Sequence, residues 1–228
     1  MKNLILGYGI LGKELVRQTN WDYLCRDNDL SFNFQNIDSY RKKISSYRTI
    51  INCIANTNTY ENIREKHWSI NYKSVADLVS ICNEYNQKLI HISTDYVYSG
   101  SDEFAKEDDV PVHNKTWYGY TKLLGDAHVQ LKSNNFLIVR SGHKVKPFTY
   151  DTAFTDLIGN FDYVDKIASL IINLINKNTT GIVNLGTKTK NMYDLALTTK
   201  SDVLKDKSNN ELMPKNVTMN ISKMEKIL

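Results

Sequence analysis

The chain has 228 residues, of which 41% are hydrophobic and 24% are charged, with ten Gly and three Pro. This composition excludes a disordered or collagen-like chain and predicts one compact domain, residues 1–228, that needs no disulfide or metal for stability. The formal net charge of +4 suits anionic small ligands. It is too small for a nucleic-acid-binding surface, so we do not expect nucleic acid as a partner.

The sequence predicts a cytoplasmic protein without a membrane segment or a metal site. The apolar run after Lys2 is interrupted by Lys13 and Glu14, and no small-residue cleavage site follows it. The longest later apolar stretch, 167–175, is far too short to cross a bilayer. Cysteine and histidine show no metal-ligand spacing, and the absence of a C-x-x-C pair indicates reduced thiols at Cys25, Cys53 and Cys82.

Short apolar runs alternate with helical patterns along the chain, which is typical of an α/β fold built on a parallel sheet. Six runs predict strands, at 2–6, 22–25, 49–54, 88–93, 136–140 and 181–185. Apolar residues at helical spacing predict helices over 75–82 and 164–175, each with one apolar stripe to lay on the sheet. We therefore expect a Rossmann-like, doubly wound parallel sheet. After residue 185 the pattern weakens, and we expect 187–228 to be peripheral.

The first predicted strand leads directly into GYGILG, residues 7–12, and then into a helix-forming run. In G-x-G-x-x-G, Gly7 allows the tight turn, Gly9 lets a pyrophosphate approach the backbone, and Gly12 lets the helix pack on the strand. Free N–H groups at the helix start, around Ile10 and Leu11, then face the anion. The motif predicts a dinucleotide site; the alternative is a glycine-rich structural turn.

The end of the second predicted strand distinguishes NADP from NAD. A carboxylate there binds the ribose 2′-hydroxyl, whereas an arginine accepts a 2′-phosphate. This chain has both, as Arg26 followed by Asp27. We predict NADPH, bound through Arg26, with NADH and Asp27 as the alternative.

Tyr118 and Lys122 have the Y-x-x-x-K spacing, which places a phenol and an ammonium on one face of a helix. A cation there lowers the pKa of the tyrosine toward the range of a proton donor. On the wheel of this helix the opposite side is apolar, and it packs either on the sheet or on a second copy of the chain. Its members are Trp117, Tyr120, Leu123, Leu124, Ala127 and Leu131.

The fourth predicted strand ends in Ser93-Thr94-Asp95, within HISTDYVYSG. Ligands of open parallel sheets bind beyond the carboxyl ends of the strands, so the Thr94 hydroxyl is expected to point at the site. There it hydrogen-bonds a carbonyl on which negative charge develops.

These motifs resemble the extended short-chain dehydrogenases/reductases and, within them, the dTDP-4-dehydrorhamnose reductases. The most specific element is S-T-D-Y-V-[FY], found at 93–98, with Y-x-x-x-K following at the family's distance. The resemblance implies that Thr94, Tyr118 and Lys122 form the catalytic triad. Nucleotide-sugar dehydratases carry Thr-Asp-Glu where this chain has Thr94-Asp95-Tyr96, so dehydration is disfavoured.

The resemblance also implies roles for residues around the triad. Asp95 and Tyr96 are expected at the substrate. The segment 52–59 resembles the family's N-A-A-x-T loop, with Thr57 contacting substrate, and Asn71 also matches a family asparagine. The same loop places three residues beside the nicotinamide: Cys53, Ile54 and Ala55.

The implied activity is reduction of the 4-keto group of a nucleotide-linked 6-deoxyhexose by NADPH. Tyr118 supplies the proton, Lys122 lowers its pKa and holds the nicotinamide ribose, and Thr94 orients the carbonyl oxygen. Family members pair through helices, which leaves a homodimer open. Two other functions stay open: a nucleotide-sugar epimerase with tightly bound NAD, and a non-catalytic, dinucleotide-binding regulatory subunit.

The chain departs from the family after its fifth predicted strand. The family's R-T-S-W, whose tryptophan packs on the sugar, is replaced by Arg140-Ser-Gly-His143. We expect His143 at the substrate, where an imidazole beside a keto-sugar also suggests epimerase chemistry. The region between Arg140 and Asp165 is shorter than in the family. We therefore expect 141–165 and 186–228 to form a small, reduced C-terminal substrate lobe.

Overall fold

The computed structural model describes residues 2–109 and 115–228. The first part of the chain alternates strands and helices, and all five strands predicted there are confirmed within two residues. The elements are β1 (Asn3–Leu6), α1 (Ile10–Thr19), β2 (Asp22–Leu24), α2 (Arg41–Ile44), β3 (Thr49–Asn52), α3 (Arg64–His67), α4 (Ser74–Glu84), β4 (Lys88–Ile92), α5 (Trp117–Lys132) and β5 (Phe136–Arg140). A π-helical turn, Trp68–Lys73, joins α3 to α4.

The second part contains the sixth predicted strand, β10, and several short elements that the sequence patterns did not reveal. They are β6 (His143–Lys144), β7 (Thr152–Phe154), β8 (Ile158–Gly159), β9 (Asp162–Tyr163), α6 (Val164–Asn176), β10 (Gly181–Asn184), β11 (Lys190–Asn191), α7 (Met192–Leu197), β12 (Leu204–Asp206), β13 (Asn216–Val217) and α8 (Ser222–Ile227).

The central sheet has six parallel strands in the order β10-β5-β4-β3-β1-β2. The chain runs from β1 outward to β2 and then returns across β1 to β3, so the winding direction reverses between β1 and β3. In open α/β sheets, ligands bind at such a switch point, outside the carboxyl ends of the strands. The loops after β1 and β3 are therefore the place to look for a site.

Two helical layers cover the sheet, as the apolar stripes predict. The stripe of α4, including Val75, Leu78 and Cys82, packs on one face. The stripe of α6, including Ile167 and Ile171, packs on the other face together with α1. Burial of these side chains supplies the main stabilisation of the fold. Within the two described stretches, no helix combines the length and apolar character that crossing a membrane requires.

Helix α5 turns its small and polar side, not its apolar side, toward the sheet. Gly125 allows the π-helical turn to approach α5 closely, because a Cβ at this position would lie 2.6 Å from the backbone oxygen of Asn71. The six buried residues of α5 are Gly119, Thr121, Lys122, Gly125, Asp126 and Val129. On the opposite side, Tyr120 is 42% and Leu131 is 78% exposed. Packing of the apolar side on the sheet is therefore not observed.

Beside the sheet, strands within 141–163 pair with strands within 190–217 and, in one case, with each other. β7 pairs with β12, β8 pairs with β11 and β13, and β6 pairs with β9. A separate apolar cluster that includes Phe148, Phe161 and Leu195 lies among them. The expectation that 187–228 is peripheral is wrong in one respect, because Met224 of α8 is buried in the central core with α1 and α6.

Candidate active site

The glycine turn after β1 has the geometry of a phosphate cradle. Gly7 has φ +94, and a Cβ on Gly12 would lie 2.1 Å from the Gly7 carbonyl oxygen, so α1 packs directly on the turn. Nothing lies within 4 Å of a Cβ built on Gly9, which is the N-cap of α1. Ile10 is 52% exposed at the first turn, whereas Leu11 is buried. The turn is therefore open where a pyrophosphate would approach the helix N-terminus, which fits a dinucleotide.

A cavity of about 180 Å³ lies beside this turn, between the loops that follow β1, β2 and β3. Arg26 lines it, whereas Asp27 is exposed and is not part of the lining. The apolar and aromatic walls suit the flat face of a nucleobase. The lining residues are Gly7, Cys25, Arg26, Phe32, Asn33, Phe34, Gln35, Ile54 and Ile70.

The loop after β3 is fixed by side-chain amides. Asn52 Oδ1 accepts a hydrogen bond from the backbone N–H of Ile54 (3.1 Å). Asn71 binds both backbone groups of Asn56, at 2.8 and 3.1 Å. Cys53, Ile54 and Ala55 are half-buried on this loop, and Thr57 is exposed. Asn71 therefore holds the predicted nicotinamide loop in place.

Thr94 and Asp95 lie at the carboxyl end of β4, and both are buried. Thr94 Oγ1 accepts from the backbone N–H of Tyr96 (3.2 Å) and donates to Asp95 Oδ1 (3.1 Å). Burial raises the pKa of Asp95, and the Lys144 ammonium opposes this shift. The ring of Tyr96 stands edge-on to that of Tyr118, with centroids 5.9 Å apart. Thr94, Asp95, Tyr96 and Tyr118 thus form one cluster.

Tyr118 lies in the first turn of α5, where Thr116 caps the helix by accepting from the Gly119 N–H (3.1 Å). Burial raises the pKa of Tyr118 to about 12, and its hydrogen bond with Thr94 lowers it by less. The lowering of this pKa by Lys122 stays a prediction, and the Asp95 and Asp126 carboxylates raise the pKa further. The phenol therefore keeps its proton at neutral pH, as a proton donor must.

Lys122 is directed under the end of β4. It is only 1% exposed, and its Nζ donates to the Ile92 carbonyl (2.7 Å). Burial lowers the pKa of Lys122 to about 8, while Asp126 and Cys53 raise it. The ammonium thus lies between the loop after β3 and the loop that carries Thr94.

His143 lies in β6 and is half-buried. Burial lowers its pKa to about 4, with a smaller contribution from the Lys144 ammonium. An imidazole with so low a pKa is a weak base at neutral pH, which disfavours the proton-transfer role considered for it.

Two groups near the cluster escaped the sequence patterns. The Tyr60 hydroxyl hydrogen-bonds the Tyr96 hydroxyl (2.8 Å), and no motif marks Tyr60. Asp126 is buried one turn after Lys122 and accepts from Arg140 Nε at 3.0 Å. The i, i+4 spacing of Lys122 and Asp126 was a usable signal, because it places both on one helix face.

A family model, described as the RmlD substrate binding domain, matches residues 1–144. The chain belongs to this family. The match covers the glycine turn, Thr94, Tyr118 and Lys122, so the resemblance found in the motifs is confirmed. Family members of known structure share the fold: a crystal structure of a hypothetical dTDP-4-dehydrorhamnose reductase from Sulfolobus tokodaii is 26% identical with a TM-score of 0.85, and the match covers 100% of this chain and 95% of that one.

Two further relatives of this RmlD-type chain are named as reductases, and one of them was solved with NADP bound. The dTDP-4-dehydrorhamnose reductase from Bacillus anthracis, solved in complex with NADP, is 23% identical with a TM-score of 0.83, over 99% of this chain and 93% of that one. The probable low-salt glycan biosynthesis reductase Agl14 of Haloferax volcanii is 35% identical over 94 residues, 40% of this chain. The aligned region spans about a third (31%) of the Haloferax protein.

Proposed function

We propose that this protein is a nicotinamide-dependent reductase that acts on the 4-keto group of a nucleotide-linked 6-deoxyhexose. The observation that best supports the proposal is the position of Thr94 and Tyr118 at the carboxyl edge of the sheet, next to an open glycine turn, with Lys122 bound under the end of β4. The names of the relatives, which are reductases, support the same class of reaction.

The side chains of the cluster suit a proton donation to a carbonyl oxygen. A nicotinamide bound at the glycine turn would supply the hydride. Tyr118 holds a proton that burial keeps on its oxygen, and it gives this proton to the developing alkoxide. Thr94, hydrogen-bonded to Tyr118, orients the same oxygen. Lys122, as an ammonium below about pH 8, stabilises the phenolate that remains and holds the ribose.

We propose NADPH as the cofactor, with NADH as the weaker alternative, because Arg26 and not Asp27 lines the cavity beside the turn. Arg26→Ala is expected to raise the KM for NADPH by about 10- to 100-fold, since hydrogen bonds to a charged group contribute about 1.5–3 kcal/mol. The KM for NADH should stay nearly constant. Asp27→Asn is the matched control. A rise in the NADH KM with Asp27→Asn, but none for NADPH with Arg26→Ala, would reverse the assignment.

We propose that 141–165 and 186–228 form the lobe that holds the sugar nucleotide. A second cavity, of about 280 Å³, lies between α5, the loop after β3 and this lobe. Tyr60 lines it and links it through Tyr96 to Tyr118. Trp117 supplies an aromatic face in this cavity, whereas the family's tryptophan is replaced by His143 in this chain. The lining residues are Thr59, Tyr60, Glu61, Asn62, Lys115, Thr116, Trp117 and Leu212.

The proposal is tested by nicotinamide oxidation with a panel of nucleotide-linked 4-keto-6-deoxy sugars, using NADPH and NADH. We expect turnover with at least one sugar and release of the oxidised cofactor after each cycle. Binding of the cofactor without turnover on any sugar would favour the regulatory subunit. Cofactor that stays bound through purification, together with interconversion of sugar epimers, would favour the epimerase. The low pKa of His143, about 4, disfavours an epimerase in which this imidazole moves the proton.

We also propose that the outward side of α5 pairs with a second copy of the chain. Tyr120 and Leu131 are exposed there, and Trp68 of the π-helical turn, 40% exposed, extends the patch. Leu131→Glu should convert a dimer into a monomer, because a buried charge without a partner opposes association. Sedimentation velocity of both proteins measures this. A wild-type protein that stays monomeric at high concentration contradicts the proposal.

A further inference from the structure

A row of buried polar side chains lies beneath the cluster of Thr94, Asp95, Tyr96 and Tyr118. The row joins four elements of the fold. Asn52 ends β3, His91 lies beside it on β4, Asp126 lies on α5 and Arg140 ends β5. Asn52 and His91 are fully buried, and Asp126 is 1% and Arg140 is 4% exposed. Such groups are costly to bury unless they are hydrogen-bonded to one another.

Two atoms in this row of side chains have no hydrogen-bond partner among the described residues: Asp126 Oδ1 and His91 Nε2. They face each other at 3.6 Å. On the other side of the ring, His91 Nδ1 lies 3.4 Å from Asn52 Nδ2. Because an amide nitrogen only donates, Nδ1 must be the acceptor, and the proton of a neutral imidazole is then on Nε2, directed at Asp126. Burial and the Lys122 charge lower the pKa of His91 well below its usual value, so the ring is neutral.

Asp126 lies four residues after Lys122 on the same face of α5, and both side chains are buried. Arg140 Nε donates to its second oxygen (3.0 Å), and the other end of the Arg140 guanidinium is held by the Tyr98 hydroxyl (2.7 Å). Burial raises the pKa of Asp126, whereas Arg140 and Lys122 lower it. The titratable groups around Lys122 are Tyr118 and Asp126 on α5, Cys53 after β3, His91 on β4 and Arg140 on β5. The pKa of Cys53 is raised to about 12 by burial, which leaves it a neutral thiol.

We propose that Asp126 is a positioning residue for Lys122, held by Arg140 and His91, and that its negative charge keeps the buried lysine an ammonium. Asp126 itself touches neither substrate nor cofactor. On its other side, His91 lies next to Asn52, which accepts a hydrogen bond from the Ile54 N–H. The inference rests on the proposed function only for the role of Lys122 in catalysis.

The test is Asp126→Asn, which removes the charge and keeps the size. The Lys122 ammonium is the active form, so activity and NADPH binding decline as the pH rises through its pKa of about 8. Without the carboxylate this pKa falls further. The pH at which activity declines and the pH at which NADPH binding declines should both move down by at least one unit. A shift of one unit lowers the ammonium fraction at pH 8 by about fivefold. Asp126→Glu should retain the wild-type pH dependence. Asp77→Asn, at an exposed position, should retain it as well.

Two readouts do not require turnover. The first is the pH dependence of NADPH binding, measured by fluorescence. If this pH dependence is unchanged in folded Asp126→Asn, the proposal is overturned. If Asp126→Asn does not fold, the double variant with Arg140→Gln removes both charges together and should show the same shift. The second is the ¹⁵N spectrum of the wild-type imidazoles, where a His91 protonated on Nδ1 also overturns it. If the wild-type protein lacks reductase activity but its NADPH binding still declines with pH as described, the proposed function is refuted and this inference is retained.

Discussion

Replacing Tyr118 by phenylalanine is expected to lower kcat by about 10²–10⁴-fold, the usual contribution of a positioned proton donor. The ring is retained, so its edge contacts with His67 and Tyr96 are kept. The Kd for NADPH should therefore stay nearly constant. Stopped-flow kinetics with a sugar that the wild-type protein reduces, combined with fluorescence titration of NADPH, separate the two effects.

Tyr120→Phe is the matched control, because Tyr120 lies two residues further along the same helix and is 42% exposed on its outward side. This variant should keep the wild-type kcat. A Tyr118→Phe protein that retains more than a tenth of the wild-type kcat would show that another group donates the proton. Tyr96, whose ring meets that of Tyr118, would then be the next residue to replace.

Gly12→Ala is expected to destabilise the fold strongly, because the added Cβ would lie 2.1 Å from the Gly7 carbonyl oxygen and neither backbone segment can move away. Overpacking of this kind costs about 3 kcal/mol. For a chain of this size, that loss lowers Tm by roughly 6–12 °C. Differential scanning calorimetry of the two proteins measures the shift.

Gly9→Ala separates binding of the dinucleotide from stability of the fold. An added Cβ meets nothing within 4 Å, so Tm should change little. The methyl group instead fills the space where the pyrophosphate approaches the backbone, and NADPH should bind at least about tenfold more weakly, or 1.4 kcal/mol. Equal NADPH affinity in Gly9→Ala and wild type would place the diphosphate elsewhere.

The sequence predicts those parts of the fold whose residues are close together in the chain. Short runs such as 88–92, whose five residues are all buried, mark central strands, because both faces of a parallel strand are buried. The glycine turn is recognisable because two of its positions require glycine: Gly7 has φ +94, and Gly12 packs on the Gly7 carbonyl oxygen. Thr94 and Tyr118 are recognisable because each lies next to a strand end or a helix start, where the motif itself defines the geometry.

Other features depend on contacts that no local pattern contains. The packing of α5 against the π-helical turn depends on the small Gly125, which allows contact with the Asn71 backbone, and not on the apolar stripe. The pKa of Tyr118 depends on how completely the surrounding loops bury it. The strands of the lobe have two or three residues each, too few for an alternating pattern to be visible.

The pairing of β7 with β12 and of β8 with β13 has a consequence for biosynthesis. Each pair joins segments on opposite sides of α6 and β10 in the sequence, so closing it orders a long intervening stretch of chain. On the ribosome, the lobe cannot be completed until Val217 has emerged, whereas β1 to β5 are all available much earlier. A nascent chain is thus expected to pass through a stage in which β1 to β5 have emerged and the lobe is unfinished, with the apolar residues around Phe148 and Phe161 not yet buried.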